Sequence, residues 1–78
     1  MEEKKSLLEL AKGDKAIITS YKAEKIPLKL IEMGCVEGSE IELVQVAPLK
    51  DPLYLCVNGS YLAIRKEVAQ YIQIKMLA

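Results

Sequence analysis

Apolar residues recur with a period of two in several short stretches of this chain and with a helical period in one. Lys15 to Tyr21 is rich in β-branched residues and predicts a first strand. Before it, Leu7, Leu8 and Leu10 supply an apolar anchor, and Gly13-Asp14 marks a turn. The period then changes. Ile26, Leu30 and Met33 share a helical stripe, Pro27 suits a first helical turn, and Gly34 stands where helices often end with positive φ. Pro27 to Met33 is therefore predicted as a helix of about two turns, with Val36 folding back on it. Leu28 and Ile31 point away from that stripe. A helix this short is unstable alone, so packing must hold it.

A second strand is expected over Ser39 to Ala47, entered through a turn in which Gly38 takes positive φ. Its pattern shifts phase, with Ile41 and Leu43 on one face and Val44 and Val46 on the other. Either a β-bulge lies near Leu43 or both faces are covered. Ala47 to Pro52 is a proline-bracketed loop. Leu53 to Val57 and Ser60 to Arg65 are strands joined by Asn58-Gly59, the strongest short hairpin signal. A two-residue loop fixes the register: Val57 faces Ser60, Leu55 faces Leu62 and Leu53 faces Ile64. The other face carries Tyr54, Cys56, Tyr61 and Ala63. Lys66 to Tyr71 reads as one helical turn, and Ile72 to Leu77 as a last strand with Ile72, Ile74 and Met76 inward. The expected fold is mainly β, with five short strands closed into a small barrel and one short inserted α-helix. Residues 1–6 are expected to be a flexible N-terminal tail and residues 7–78 one domain.

Composition narrows the chemistry. The chain has 78 residues, enough for one small domain. His, Trp and Phe are absent, which excludes Ser-His-Asp and Cys-His catalysis and His-ligated zinc or iron. Lys and Arg number 11, and so do Asp and Glu, so no global field draws the chain to a phosphate backbone. The balance hides structure: residues 1–31 sum to +2, residues 32–64 to −4 and residues 65–78 to +2. Cys35 and Cys56 cannot close a four-ligand zinc site; the sequence alone allows one disulfide between them, and a reduced thiol pair is expected. The longest uncharged run, Pro52 to Ile64, is too short to span a bilayer. The start is acidic and lacks a signal peptide, so a cytoplasmic protein with no direct membrane insertion is expected. No nucleophile has a base beside it, and an enzyme is not expected.

Met33-Gly34, Glu37-Gly38-Ser39, Val46-Ala47-Pro48-Leu49, Asp51-Pro52 and Leu62-Ala63-Ile64-Arg65 occur in one order with tight spacing. This ordered set resembles the FeoA family, small cytoplasmic accessory proteins of bacterial ferrous-iron uptake, over roughly Leu10 to Lys75. The chain departs from the family pattern at Glu37, where a proline is expected, at Lys29, where Arg is common, and at Lys50, where Gly is common. The resemblance implies an SH3-like barrel. It also implies a partner: FeoB, a membrane permease with a cytoplasmic G-protein domain, beside which the chain would sit at the inner membrane. This chain itself has no Walker loop. FeoA-like domains also end metal-dependent repressors, so an Fe(II)-responsive regulator is the alternative. Weak homo-oligomerisation is a third reading.

The candidate partner-binding residues are Leu28, Leu30, Ile31 and Met33 on the helix and Leu49 on the proline-bracketed loop. For Leu30 and Met33 the competing reading is that they cap the open barrel; for Leu49, that the loop only sets strand geometry. Tyr54, Cys56 and Tyr61 are read as cross-strand packing rather than as a proline-peptide groove. Glu37, Glu40 and Glu42 with Cys35 offer oxygen and sulfur donors. Ferrous sites usually want His as well, so no metal site and no cofactor is assigned. Arg65 and Lys66 are read as a solvated corner.

Overall fold

The computed structural model describes residues 5–77. Six antiparallel strands form one bent sheet: β1 (Lys5–Ser6), β2 (Lys15–Tyr21), β3 (Glu40–Val46), β4 (Leu53–Val57), β5 (Ser60–Ile64) and β6 (Ile72–Met76), in the order β1-β6-β2-β3-β4-β5. Two short helices interrupt them, α1 (Leu28–Glu32) and α2 (Lys66–Ala69). The mainly β fold with a short inserted helix is thus present. The sheet gains one strand over the expected five, because Lys5 and Ser6 pair with Ile74 and Gln73. Of the tail expected over residues 1–6, residues 1–4 lie outside the described part of the chain.

The strands from β2 to β6 turn their aliphatic sides inward. Ala16 and Ile18, Ile41 and Leu43, Leu53, Leu55 and Val57, Leu62 and Ile64, and Ile72 and Ile74 all contribute to a single core. Leu7 and Leu10 close it from the N-terminal side, while Leu8 is largely exposed. The anchor is shaped by a capping box: the Leu8 N–H donates to Ser6 Oγ at 3.2 Å, and the Ser6 N–H donates to Glu9 Oε2 at 2.9 Å. That pair sets a 3-10 turn over Leu7–Glu9 and drives Leu7 into the interior.

Two register shifts bend the sheet. One lies in β2 between Ile18 and Ser20 against β6, the other in β3 between Leu43 and Gln45 against β4. The second sits where the phase of the apolar pattern changes. The extra residue lets Ile41, Leu43 and then Val46 face the core, with Val46 opposite Leu53. The hairpin register is the one its turn dictates, with Val57 on Ser60, Leu55 on Leu62 and Leu53 on Ile64. Asn58 (φ 51°) and Gly59 (φ 85°) both take positive φ, as a type I′ turn requires.

Helix α1 is shorter than the stripe suggested, with Pro27 and Met33 as its flanking caps. It ends in a Schellman motif. The Gly34 N–H donates to the Ile31 carbonyl at 3.1 Å, and the Cys35 N–H donates to the Leu30 carbonyl at 3.0 Å. Gly34 has φ 107°. This geometry brings Cys35 rather than Val36 back into the core. Ser39 then donates its hydroxyl to the Gly34 carbonyl at 2.6 Å, tying the helix end to the start of β3.

A Cβ at Gly34 would adopt a left-handed conformation and meet Asn58 Nδ2 at 2.9 Å. At Gly38 (φ 87°) it would meet nothing within 4 Å. Gly38→Ala is therefore expected to cost about 1 kcal/mol, from backbone strain alone. Gly34→Ala is expected to cost somewhat more, about 1.5 kcal/mol, because the Asn58 side-chain amide must also shift aside. Urea denaturation midpoints of the two variants check this order.

Candidate functional site

The helix residues singled out from the sequence lie on one short element. Ile26, just before it, is buried; Leu30, Ile31 and Met33 are partly buried and pack on the core. Leu28 is 67% exposed. Of the two residues expected to face away from the first stripe, Leu28 does so, while Ile31 packs beside Leu30 and Met33. Leu28 and Ile31 are three positions apart and share a side of α1, whereas Leu30 lies on the other. Leu28 is the side chain that α1 leaves exposed.

Leu49 is 85% exposed. Its loop folds tightly. The Lys50 N–H donates to the Ala47 carbonyl at 2.7 Å, and the Ala47 N–H donates to the Pro52 carbonyl at 3.1 Å. Lys50 sits at φ 64°, a region that favours glycine, at the position where the FeoA pattern commonly has one. The Asp51-Pro52 bond is cis. Asp51 anchors the loop from outside: its Oδ1 accepts the Lys66 N–H at 3.0 Å, and its Oδ2 lies 3.9 Å from the Arg65 guanidinium. The amide bond closes the start of α2; the ion pair is exposed at its Arg end and contributes little.

The structure does not bring Leu49 to the helix. Gly34, at the end of α1, contacts Asn58 and Val57 at one end of β4, whereas the Ala47–Pro52 loop leads into Leu53 at the other. The end of α1 and the Ala47–Pro52 loop thus adjoin opposite ends of β4.

On the outer face of the hairpin Tyr61 stands 75% exposed, so the cross-strand packing expected there leaves it largely uncovered. Cys56 lies opposite Tyr61 and Tyr54 opposite Ala63, and Tyr54 and Tyr61 border a shallow apolar groove with Val44 and Ala63. The donors Glu37, Glu40, Glu42 and Cys35 are not brought together. Cys35 points into the core, while Glu40 and Glu42 alternate outward from Ile41 and Leu43. Glu42 lies opposite Lys15 on one side and Cys56 on the other. Among the described residues no three Cys, Asp or Glu side chains group so as to hold a metal ion. Likewise, among the described residues no helix is long and apolar enough to cross a membrane.

Comparison with known proteins decides the family. Residues 5–76 match the model of the FeoA domain. The chain belongs to the FeoA family. This FeoA domain is 36% identical over 73 residues to the Fe(2+) transport protein A/Fe(2+) transporter FeoB fusion protein of Porphyromonas gingivalis, covering 92% of this chain and 9% of that one. The chain thus spans about a tenth of the length of that relative. The solution structure of the FeoA protein from Chlorobium tepidum superposes with a TM-score of 0.85 at 34% identity, covering 95% of this chain and 71% of that one. The crystal structure of Stenotrophomonas maltophilia FeoA complexed with zinc, described as a prokaryotic SH3 domain protein, superposes with a TM-score of 0.77 at 26% identity, covering 91% of this chain and 89% of that one. The SH3-like fold of the family is the fold of this chain.

The two thiols are both free but differ in setting. Cys35 is 2% exposed, and burial pushes its thiol up from the usual range, which keeps it protonated and unreactive. Cys56 is half-buried on the outer face of β4. Brief treatment of the folded protein with iodoacetamide is expected to modify Cys56 alone, and treatment in denaturant to modify both. Intact and peptide mass spectrometry reads the difference.

Proposed function

We propose that this chain is a non-enzymatic binding module that docks on the cytoplasmic part of a FeoB-like ferrous-iron permease and supports Fe(II) uptake. One observation carries the reading: in the Porphyromonas gingivalis relative, a segment like this chain is joined to a FeoB transporter in a single polypeptide. Fusion of two domains in one relative supports association of the separate domains in another. The surface chemistry agrees. The chain exposes leucines on α1 and on the Ala47–Pro52 loop, and exposed apolar side chains on a held backbone cost little ordering on binding.

On this reading Leu28 is the contact centre of α1, with Ile31 one turn on beside it, while Leu30 and Met33 hold the helix on the core. Leu49 is a second, separate contact held out by its anchored loop. Binding one state of the permease more tightly than another would shift that state's population, which is how a module without chemistry could raise transport. The chain would then sit in the cytoplasm, at the membrane only through its partner.

The reading is tested by calorimetric titration of this chain into the soluble G-protein domain of a FeoB-like protein, and by iron uptake in a strain lacking the gene. Saturable binding and reduced uptake are expected. Leu28→Asp is expected to weaken binding by about tenfold or more, while leaving the urea midpoint near that of the parent chain, because Leu28 is outside the core. Undiminished uptake without the gene overturns the proposal. Tight stoichiometric Fe(II) binding by the isolated chain would favour the regulator instead.

A further inference from the structure

The strand order leaves β5 at one margin of the sheet, paired with β4 alone. Its register fixes which backbone groups are free. A two-residue turn makes Val57 and Ser60 a hydrogen-bonded pair, and the antiparallel ladder then alternates. Ser60, Leu62 and Ile64 thus bond to β4, while the N–H and C=O groups of Tyr61 and Ala63 point away from it. None of those four groups has a partner among the described residues. Edge strands are usually protected by a charge, a proline or a bulge. Ser60–Ile64 has none of these.

We propose that β5 is the self-association edge of this protein, pairing antiparallel with β5 of a second copy about a twofold axis at Leu62. In that register Tyr61 of one copy lies opposite Ala63 of the other, and each pair exchanges two backbone hydrogen bonds. All four free groups on each copy are satisfied at once. A register centred on Tyr61 would bond Tyr61 to its equivalent but set Ala63 against Gly59 in the turn. The side chains fit the Leu62 axis. Tyr61, 75% exposed, meets the small Ala63 of the other copy on the outer face. Leu62 meets its equivalent as a close non-hydrogen-bonded pair. The strand is uncharged, so pairing like with like sets no like charges opposite each other, and Arg65 falls opposite Gly59, which has no side chain. A strand of five residues buries far less than a standard stable interface. The dimer is therefore weak and concentration-dependent, not obligate.

Sedimentation equilibrium from micromolar to millimolar concentration tests this. The apparent mass is expected to rise from 8.7 kDa toward twice that value. Over the same range, amide exchange followed by NMR should slow at Tyr61 and Ala63 and stay constant at Leu62. Ala63→Pro removes an outward N–H and leaves the bonds to β4 in place, so it should raise the dissociation constant about tenfold or more. A charge pair guards against misfolding of that variant. Ala63 lies diagonal to its equivalent across the axis, so Ala63→Lys alone and Ala63→Glu alone should each be monomeric, and their mixture should dimerise. A constant single-chain mass overturns the proposal. So does a dimer that survives Ala63→Pro and Ala63→Lys, or one that is lost with Leu28→Asp instead, which would place the contact on α1.

Discussion

A strand that keeps its apolar side inward while its sheet bends must gain or lose one residue of register, and β3 does so between Leu43 and Gln45. Much of the fold depends on that one insertion. Without it, Val46 would turn outward and β4 would begin with its buried residues out of phase. The core has no Trp or Phe to bridge wide gaps, so its aliphatic side chains must meet closely from every strand. A sheet can bring six short strands around such a core only by bending sharply, and the bulges in β2 and β3 supply the bends.

The same economy governs α1. Five helical residues have little stability of their own, so the helix is held at its ends and by its underside. Ile26 before it and Cys35 after it are both buried, and Ser39 fastens the turn that follows. The helix becomes a fixed ledge over the core, and Leu28 is what that ledge leaves uncovered. Family membership says what such a domain is joined to in a relative; this geometry says which side chain of α1 lies outside the core.

Legibility in the sequence followed the range of the interactions. The Asn58-Gly59 hairpin, the Gly34 helix stop and the Gly38 turn rest on neighbours within a few residues and are legible in the sequence; the phase shift in β3 is legible too, but it leaves a bulge and a strand covered on both faces as alternatives. The pairing of Lys5 and Ser6 was not, because a two-residue strand carries no period and exists only because β6 lies beside it. The burial of Cys35 instead of Val36 depends on the phase of one Schellman turn, a shift of one residue. Asp51 was missed as an anchor because its partner amide at Lys66 is 15 residues away. Among the candidate contacts, the exposure of Leu28 and Leu49 could be read, but the packing of Ile31 on the core could not. The ordered motifs carried the family.

The Asp51 carboxylate has a consequence for the hairpin between its two contacts. One end of the β4–β5 ribbon is closed by a type I′ turn; at the other, a side chain before β4 grips the backbone just after β5. The ribbon is a loop clasped at both ends. Sliding one strand past the other by a single residue would have to break the turn or release the clasp, and would turn Leu55 and Leu62 outward. The clasp thus guards parity: it keeps every odd and even position of the outermost strand on its assigned side.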